Sequence, residues 1–251
     1  MKKPFQGVWN IIRFNWHFYA LALLVVGLLF LAKSWVADTY HPLLHFFLLV
    51  SILTTLLSLL ISSYVYDFSG LYTFNWLNPY IPAAPEKIVN IHAGFDETSE
   101  SLARKFAESE LRVLDFYDPK VHTEISIKRA RKAYPPYPGT QCIQTQHLPL
   151  KSDSIDVIFL ILAAHEIRNQ AERDTFFQEL RRILKTDGKI VLVEHLRDLP
   201  NFIAYTIGFF HFYPKKTWLQ TFKKNHLRLL DTLKITPFIR AFILNKHANT
   251  P

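Results

Sequence analysis

LPLKSDSIDVIFLILAAHEI (148–167), followed by ELRRILKTDGKIVLVEHLRD (179–198), decides the fold. SIDVIFLILAA (154–164) is a nearly unbroken apolar run, the composition of a strand covered on both faces. From Glu172 to Leu184, Phe176, Leu180, Ile183 and Leu184 make one helical face, which Asp187-Gly188 closes. GKIVLVEH (188–195) is a second buried strand. Strand, helix and strand in this order form a parallel crossover unit. The two strands end on His165-Glu166 and on Glu194-His195.

Outward from this unit the alternation continues. KIVNIHA (87–93) is a short strand, and the helix after it starts among Asp, Ser and Thr. LRVLDFYD (111–118) is a strand closed by Pro119, and KRARK (128–132) belongs to a short helix. Lys215–His226 is a helix, followed by the strands LRLLDTLKI (227–235) and FIRAFILNK (238–246). The expected class is α/β, with a doubly wound, mostly parallel sheet over residues 87–251. Ligands of such sheets bind beyond the carboxyl ends of the strands.

The 251 residues include seven widely spaced glycines and a single cysteine, Cys142. A Walker loop, a G-x-G-x-x-G loop and a G-x-S-x-G elbow are therefore excluded as strict patterns. So are an intramolecular disulfide and a multi-cysteine zinc site. The formal charge is +8, yet no basic patch interleaved with aromatics stands out, and no nucleic-acid partner is expected.

Leu43–Tyr66 holds no charged residue, and His17–Ala32 is a second uncharged stretch, extended past Lys33 to Ala37. Each reaches the roughly twenty residues that cross a bilayer core. Residues 1–66 thus read as a tail and two transmembrane helices, about 17–37 and 43–66, with a buried helix hairpin or a cleaved leader as the alternatives. Lys2, Lys3 and Arg13 precede the first span without an acidic residue. This bias sets the N-terminus and the domain on the cytoplasmic side, in a bacterial inner membrane. Residues 67–86 carry aromatics and Pro79, Pro82 and Pro85, and read as a linker packed at the membrane surface and on the domain.

The strand ends carry carboxylates and imidazoles rather than lysine or arginine, and Asp96 and Glu97 would repel a pyrophosphate. A ligand with a cationic centre and a ribose diol fits better, which points to S-adenosylmethionine. Residues 87–246 resemble a class I S-adenosylmethionine-dependent methyltransferase of the type 11 group, on the two segments quoted first. They are similar to that group's LPF-x-(D)-x-SFD-V-(apolar)-HE/HH and E-x-x-RVLKPGG-x-(apolar)-E. The glycine loop departs from the pattern. Asn90 takes the acidic position, His92 the first glycine, Gly94 the second and Asp96 the third.

The resemblance implies Asn90, His92, Gly94 and Asp96 as cofactor-binding residues. Asp118 is expected on the ribose hydroxyls, with Asp115 and Glu124 as runners-up, and Thr145 and Gln146 near the adenine. His165, Glu166, Glu194 and His195 are the candidate catalytic residues, an imidazole near the methyl being able to take a proton from the acceptor. His92, His122, His147, His165 and His195 could share one crevice, where a divalent metal with His and carboxylate ligands is conceivable. No H-x-x-x-H spacing supports it, and no metal ligand is assigned. NFIAYTIGFFHFYP (201–214) is uncharged and rich in aromatics, either a helix covering the sheet or an apolar acceptor pocket or membrane-dipping lid. The expected activity is methyl transfer to a small lipophilic or membrane-associated acceptor. The alternatives are a non-catalytic binding or scaffold module at the membrane, and a hydrolase or metal-dependent enzyme built on the His/Glu-lined cleft.

Overall fold

Ile155, Val157, Ile158, Phe159 and Leu160 are all buried, and the strand they form, β4 (Ile155–Ile161), is the middle of a seven-stranded sheet. The structure is a computed structural model of the chain and describes residues 4–122 and 124–246. Lys2 and Lys3, used above to orient the chain, lie outside the described residues, as does the domain's end beyond Lys246.

The other strands are β1 (Lys87–His92), β2 (Glu110–Asp115), β3 (Gln141–Cys142), β5 (Leu184–His195), β6 (Leu227–Lys234) and β7 (Ile239–Lys246). Their order is β3-β2-β1-β4-β5-β7-β6. β7 runs antiparallel between β5 and β6, and the remaining pairs are parallel. β1 and β4 are neighbours at the point where the order reverses, so the crevice opens beyond their carboxyl ends. Pairing of β1 with β2 sets His92 beside Asp115.

Helices α4 (Ser99–Lys105), α5 (Ile125–Ala133), α6 (Gln170–Ile183), α7 (Leu199–Tyr205) and α8 (Lys215–Lys224) complete the domain. On one face of the sheet, Phe176, Phe177 and Leu180 of α6 pack with Trp218 and Phe222 of α8. Each fully buried side chain of this size is worth about 1.5–3 kcal/mol. The other face is covered by Leu102 and Phe106 and by Leu71, Phe74, Leu77 and Ile81. The stretch read as a linker is therefore core. It forms two 3-10 turns, Leu71–Thr73 and Asn75–Leu77, that place its apolar residues on the sheet. The helix ended by Asp187-Gly188 in the sequence reading stops at Ile183, and β5 begins at Leu184.

Ahead of the sheet come α1 (Gln6–Phe14), α2 (Trp16–Ala32) and α3 (His41–Ser63). The segment Asp38–Thr73 is long and apolar enough to cross a membrane, with a mean hydropathy of 2.4. The pair α1 and α2, bent by 73°, passes that test together as a second. α2 buries none of its residues and α3 only Ile61 and Ser62, so apolar side chains stand outward along both. α1 instead lies on the domain. Its first backbone N–H groups, on Gly7 and Val8, donate to the Asp67 carboxylate at 2.6 and 3.0 Å. Gly7 is required there, since a Cβ would stand 2.5 Å from the Tyr66 Cβ.

Candidate active site

Asn90 and His92 alternate on one face of β1, and the chain then turns through Gly94 at a φ of +96°. A Cβ on Gly94 would stand 2.9 Å from the Tyr117 ring, so glycine is needed for space as well as for φ. Asp96, at the third glycine's position, shapes the turn with one carboxylate oxygen. Its Oδ1 accepts from the backbone N–H groups of Thr98 and Ser99, both at 2.9 Å, and so caps the start of α4. The Asn90 amide donates to Thr98 and Ser99 at 2.9 and 2.8 Å.

Three buried polar atoms at this turn have no partner among the described residues: Asn90 Oδ1, Asp96 Oδ2 and His92 Nε2. The Gly94 N–H donates to His92 Nδ1 at 3.2 Å, which leaves Nε2 as the protonated nitrogen. Burial lowers the His92 pKa against the pull of Asp115 and Asp96, so the ring stays neutral. Two orphaned acceptors and one orphaned donor suit the ammonium and carboxylate of an amino acid, which S-adenosylmethionine carries.

The structure places the two aspartates expected near the ribose differently. Asp118 is exposed, and its carboxylate accepts from Lys120 N–H in a turn beyond the sheet. Asp115 ends β2, is buried, and lies beside His92, with Nδ1 of that ring 3.7 Å from Oδ1. It accepts from Tyr117 N–H at 2.9 Å and is ion-paired with Arg131. The Arg131 guanidinium also donates to the Gly94 carbonyl and lies over the Tyr117 ring. A diol reaching Asp115 therefore competes with Arg131 for the same oxygen. Thr145 is buried and donates to Glu172 at 2.6 Å, while Gln146 is exposed.

The five histidines do not share one crevice. His147 is exposed beside Glu179, and His122 accepts from Asp118 N–H. His195 lies under Tyr66 and Tyr205. Its Nδ1 donates to Asn201 and to the Phe238 carbonyl, both at 3.1 Å, and its Nε2 accepts from the Tyr66 hydroxyl at 2.8 Å. Both nitrogens are spent within the chain. Burial pushes this imidazole down to about 4. His195 is thus a neutral tie between the end of α3 and the sheet.

His165 is different. Leu162, with a φ of +54°, turns the chain sharply at the end of β4, and a 3-10 turn (Ala164–Glu166) follows. His165 backbone N–H and Nδ1 both meet the buried Glu194 carboxylate, at 3.1 and 2.6 Å. Its Nε2 is 3.3 Å from Glu166 Oε1. Burial alone would depress this imidazole, but Glu194 and Glu166 outweigh it and push it up to about 10. Glu166 is held well below the usual carboxylate range by His165 and His211 in spite of its burial. Glu194 and Glu166 thus favour the charged ring, and a ring already protonated would not take a proton from an acceptor. Glu194 is then a positioning residue. Sequence reasoning missed His211, which sits in the aromatic segment and reaches Glu166 Oε1 through Nε2 at 3.2 Å. It also missed α1. Asn10 donates to Glu97 at 3.3 Å and accepts from Tyr134 at 2.8 Å, and Phe14 packs edge-on against Phe95. α1 therefore roofs the loop after β1.

Residues 91–192 match the family model described as a methyltransferase domain. Among curated proteins the chain is similar to the demethylmenaquinone methyltransferase of Thermotoga maritima, 31% identical over 136 residues. That match takes in 54% of this chain and 53% of the relative, so the chain spans about half the length of the curated relative it matches. Among solved structures it is similar to a SAM-dependent methyltransferase from Aquifex aeolicus. The TM-score is 0.50 at 13% identity, over 71% of this chain and 93% of that one. A protein from Pyrococcus horikoshii gives a TM-score of 0.52 at 14% identity, over 71% and 90%. At these identities the structural likeness speaks for the fold.

Proposed function

We propose that the methyltransferase domain matched by residues 91–192 is a working S-adenosylmethionine-dependent enzyme, held at a membrane by α2 and α3 and acting on a small lipophilic acceptor. The observation that carries this reading is the turn after β1. Its three orphaned polar atoms lie at the carboxyl end of the strand, at the switch point of the sheet, one residue pair away from Asp115. His92 Nε2–H would hold the cofactor's carboxylate, Asn90 Oδ1 and Asp96 Oδ2 its ammonium, and Asp115 its ribose. The cofactor supplies a methyl group on a sulfonium, and the chain's part is to align it with the acceptor and keep water away.

The lipophilic acceptor is supported by two independent features. The relative from Thermotoga maritima is named for a quinone acceptor. In this chain Leu199, Phe202 and Ile203 are exposed on α7, which packs on α3, and Ile207 and Phe210 are exposed in the turn after it, together an apolar lip. The location reading, an integral membrane protein with its domain on the cytoplasmic side, rests on the length and composition of the two apolar segments and on the charge bias around the first.

Calorimetric titration of the full chain in detergent with S-adenosylmethionine tests this reading. One site is expected, and Asp115→Ala should weaken it by roughly tenfold or more, the loss of a charge-assisted hydrogen bond of about 1.5–3 kcal/mol. Asp118→Ala should leave it unchanged. Folded wild-type protein that takes up no cofactor removes the enzyme reading in favour of a binding module.

A further inference from the structure

We propose that His165, Glu166 and His211 form a site for one divalent transition-metal ion. One ligand atom from each lies within 4.8 Å of the other two. The two imidazoles present the same nitrogen inward. Nε2 of His165 and Nε2 of His211 stand 3.3 and 3.2 Å from Glu166 Oε1. Two ligands held about 2.1 Å from a common ion at an angle of about 100° are roughly 3.2 Å apart. Two of the three edges between these ligand atoms are therefore already of the right length.

The outward nitrogens carry the stronger argument. His165 Nδ1 is hydrogen-bonded to Glu194 at 2.6 Å, and His211 Nδ1 to Glu124 at 2.8 Å. Metal-ligating histidines almost always give their second nitrogen to a carboxylate or carbonyl, which fixes the tautomer and turns the lone pair toward the ion. Here both rings have that support, from β5 on one side and from the residue before α5 on the other. Three carboxylates share the space with the two rings, and Glu194 is wholly buried. With no ion bound, the imidazole protons and Arg168 balance this charge, and a bound ion would take their place. Imidazole ligands select zinc, iron or a similar ion over magnesium and calcium.

Arg168 opposes the site. Its guanidinium lies against both nitrogens of the His211 ring. It is an exposed side chain, anchored otherwise by the His211 carbonyl at 2.5 Å, and can swing into solvent when the ion enters. The metal site stands whether or not the domain transfers methyl groups. Only its use toward an acceptor rests on the proposed function.

The test is a titration of the full chain in detergent, stripped with a chelator, with Co2+ followed by visible absorption and with Zn2+ by calorimetry. One ion per chain is expected. His211→Ala should weaken it at least ~100-fold and Glu124→Gln, which keeps shape and removes charge, by about 10–100-fold. Arg168→Ala should tighten it several-fold. Circular dichroism of each variant reports folding, and Glu124→Gln carries the test if His211→Ala unfolds. Absence of uptake by folded wild type, or equal affinity in a folded variant and wild type, overturns the site. S-adenosylmethionine binding measured on the same stripped sample separates this failure from failure of the enzyme reading.

Discussion

His195 shows how one buried ring can govern the stability of the whole chain. Its folded-state pKa of about 4 lies below the ordinary value of 6.5. Below pH 6.5 the unfolded chain therefore binds a proton that the folded chain refuses, so this contribution to stability is complete above pH 6.5 and lost as pH falls toward 4. A shift of this size corresponds to about 3 kcal/mol. In denaturant titrations, wild type should lose about that much more than His195→Asn between pH 7 and 4. Equal slopes for the two would show that the ring is not held neutral. Strand ends rich in His and Glu were legible in the sequence as a candidate site, and the roles were not. His165-Glu166 and Glu194-His195 look alike as dipeptides. Folding gives His165 two carboxylates and gives His195 a tyrosine hydroxyl, an amide and a carbonyl. Asp118 was preferred to Asp115 for the same reason. Only pairing of β1 with β2 tells which aspartate ends the strand.

Among the elements, the central strands were readable because burial on both faces leaves no room for polar residues. β4 and β5 announce themselves in any window. The segment before β1 reads as a linker packed on the domain, and its prolines and lack of a 3.6 period hide how deeply it enters the core. Its signal was a different period. Leu71, Phe74 and Leu77 recur every three residues, and the two short 3-10 turns on either side of Phe74 bring all three onto the sheet. Phe74 is fully buried and holds a φ of +56°, so packing outweighs local backbone preference there. Phe74→Ala should cost about 3–5 kcal/mol, the usual penalty for emptying an aromatic site in a core. Chemical denaturation of the full chain checks this. A change below 1 kcal/mol would return residues 67–86 to the status of a linker.

For the whole molecule, what matters is how the N-terminal helices meet the domain. α1 leaves α2 at 73° and lies on the domain, with Trp9 exposed and Arg13 in its last turn. Trp16, at the start of α2, is exposed as well. Phe5 packs edge-on against Phe68, so the start of α1 meets the end of the apolar segment. On the proposed membrane reading these aromatics would sit in the interfacial layer of the bilayer. α7 packs on α3, and the turn after it carries Ile207 and Phe210 outward, 79% and 60% exposed. Such a lip would dip into the same leaflet, beside His211, which joins the turn to the site at the end of β4. Each apolar side chain immersed there would be worth about 1.5–3 kcal/mol, or roughly ten- to a hundredfold in the share of domains engaged with the bilayer. Ile207→Asp with Phe210→Asp should therefore raise the KM for an acceptor dissolved in vesicles by tenfold or more. Turnover of a water-soluble, short-tailed analogue should stay within about twofold, because both side chains stand mostly in solvent. A uniform loss on both substrates would instead mean that the turn shapes the pocket, and the lip would lose its role at the membrane.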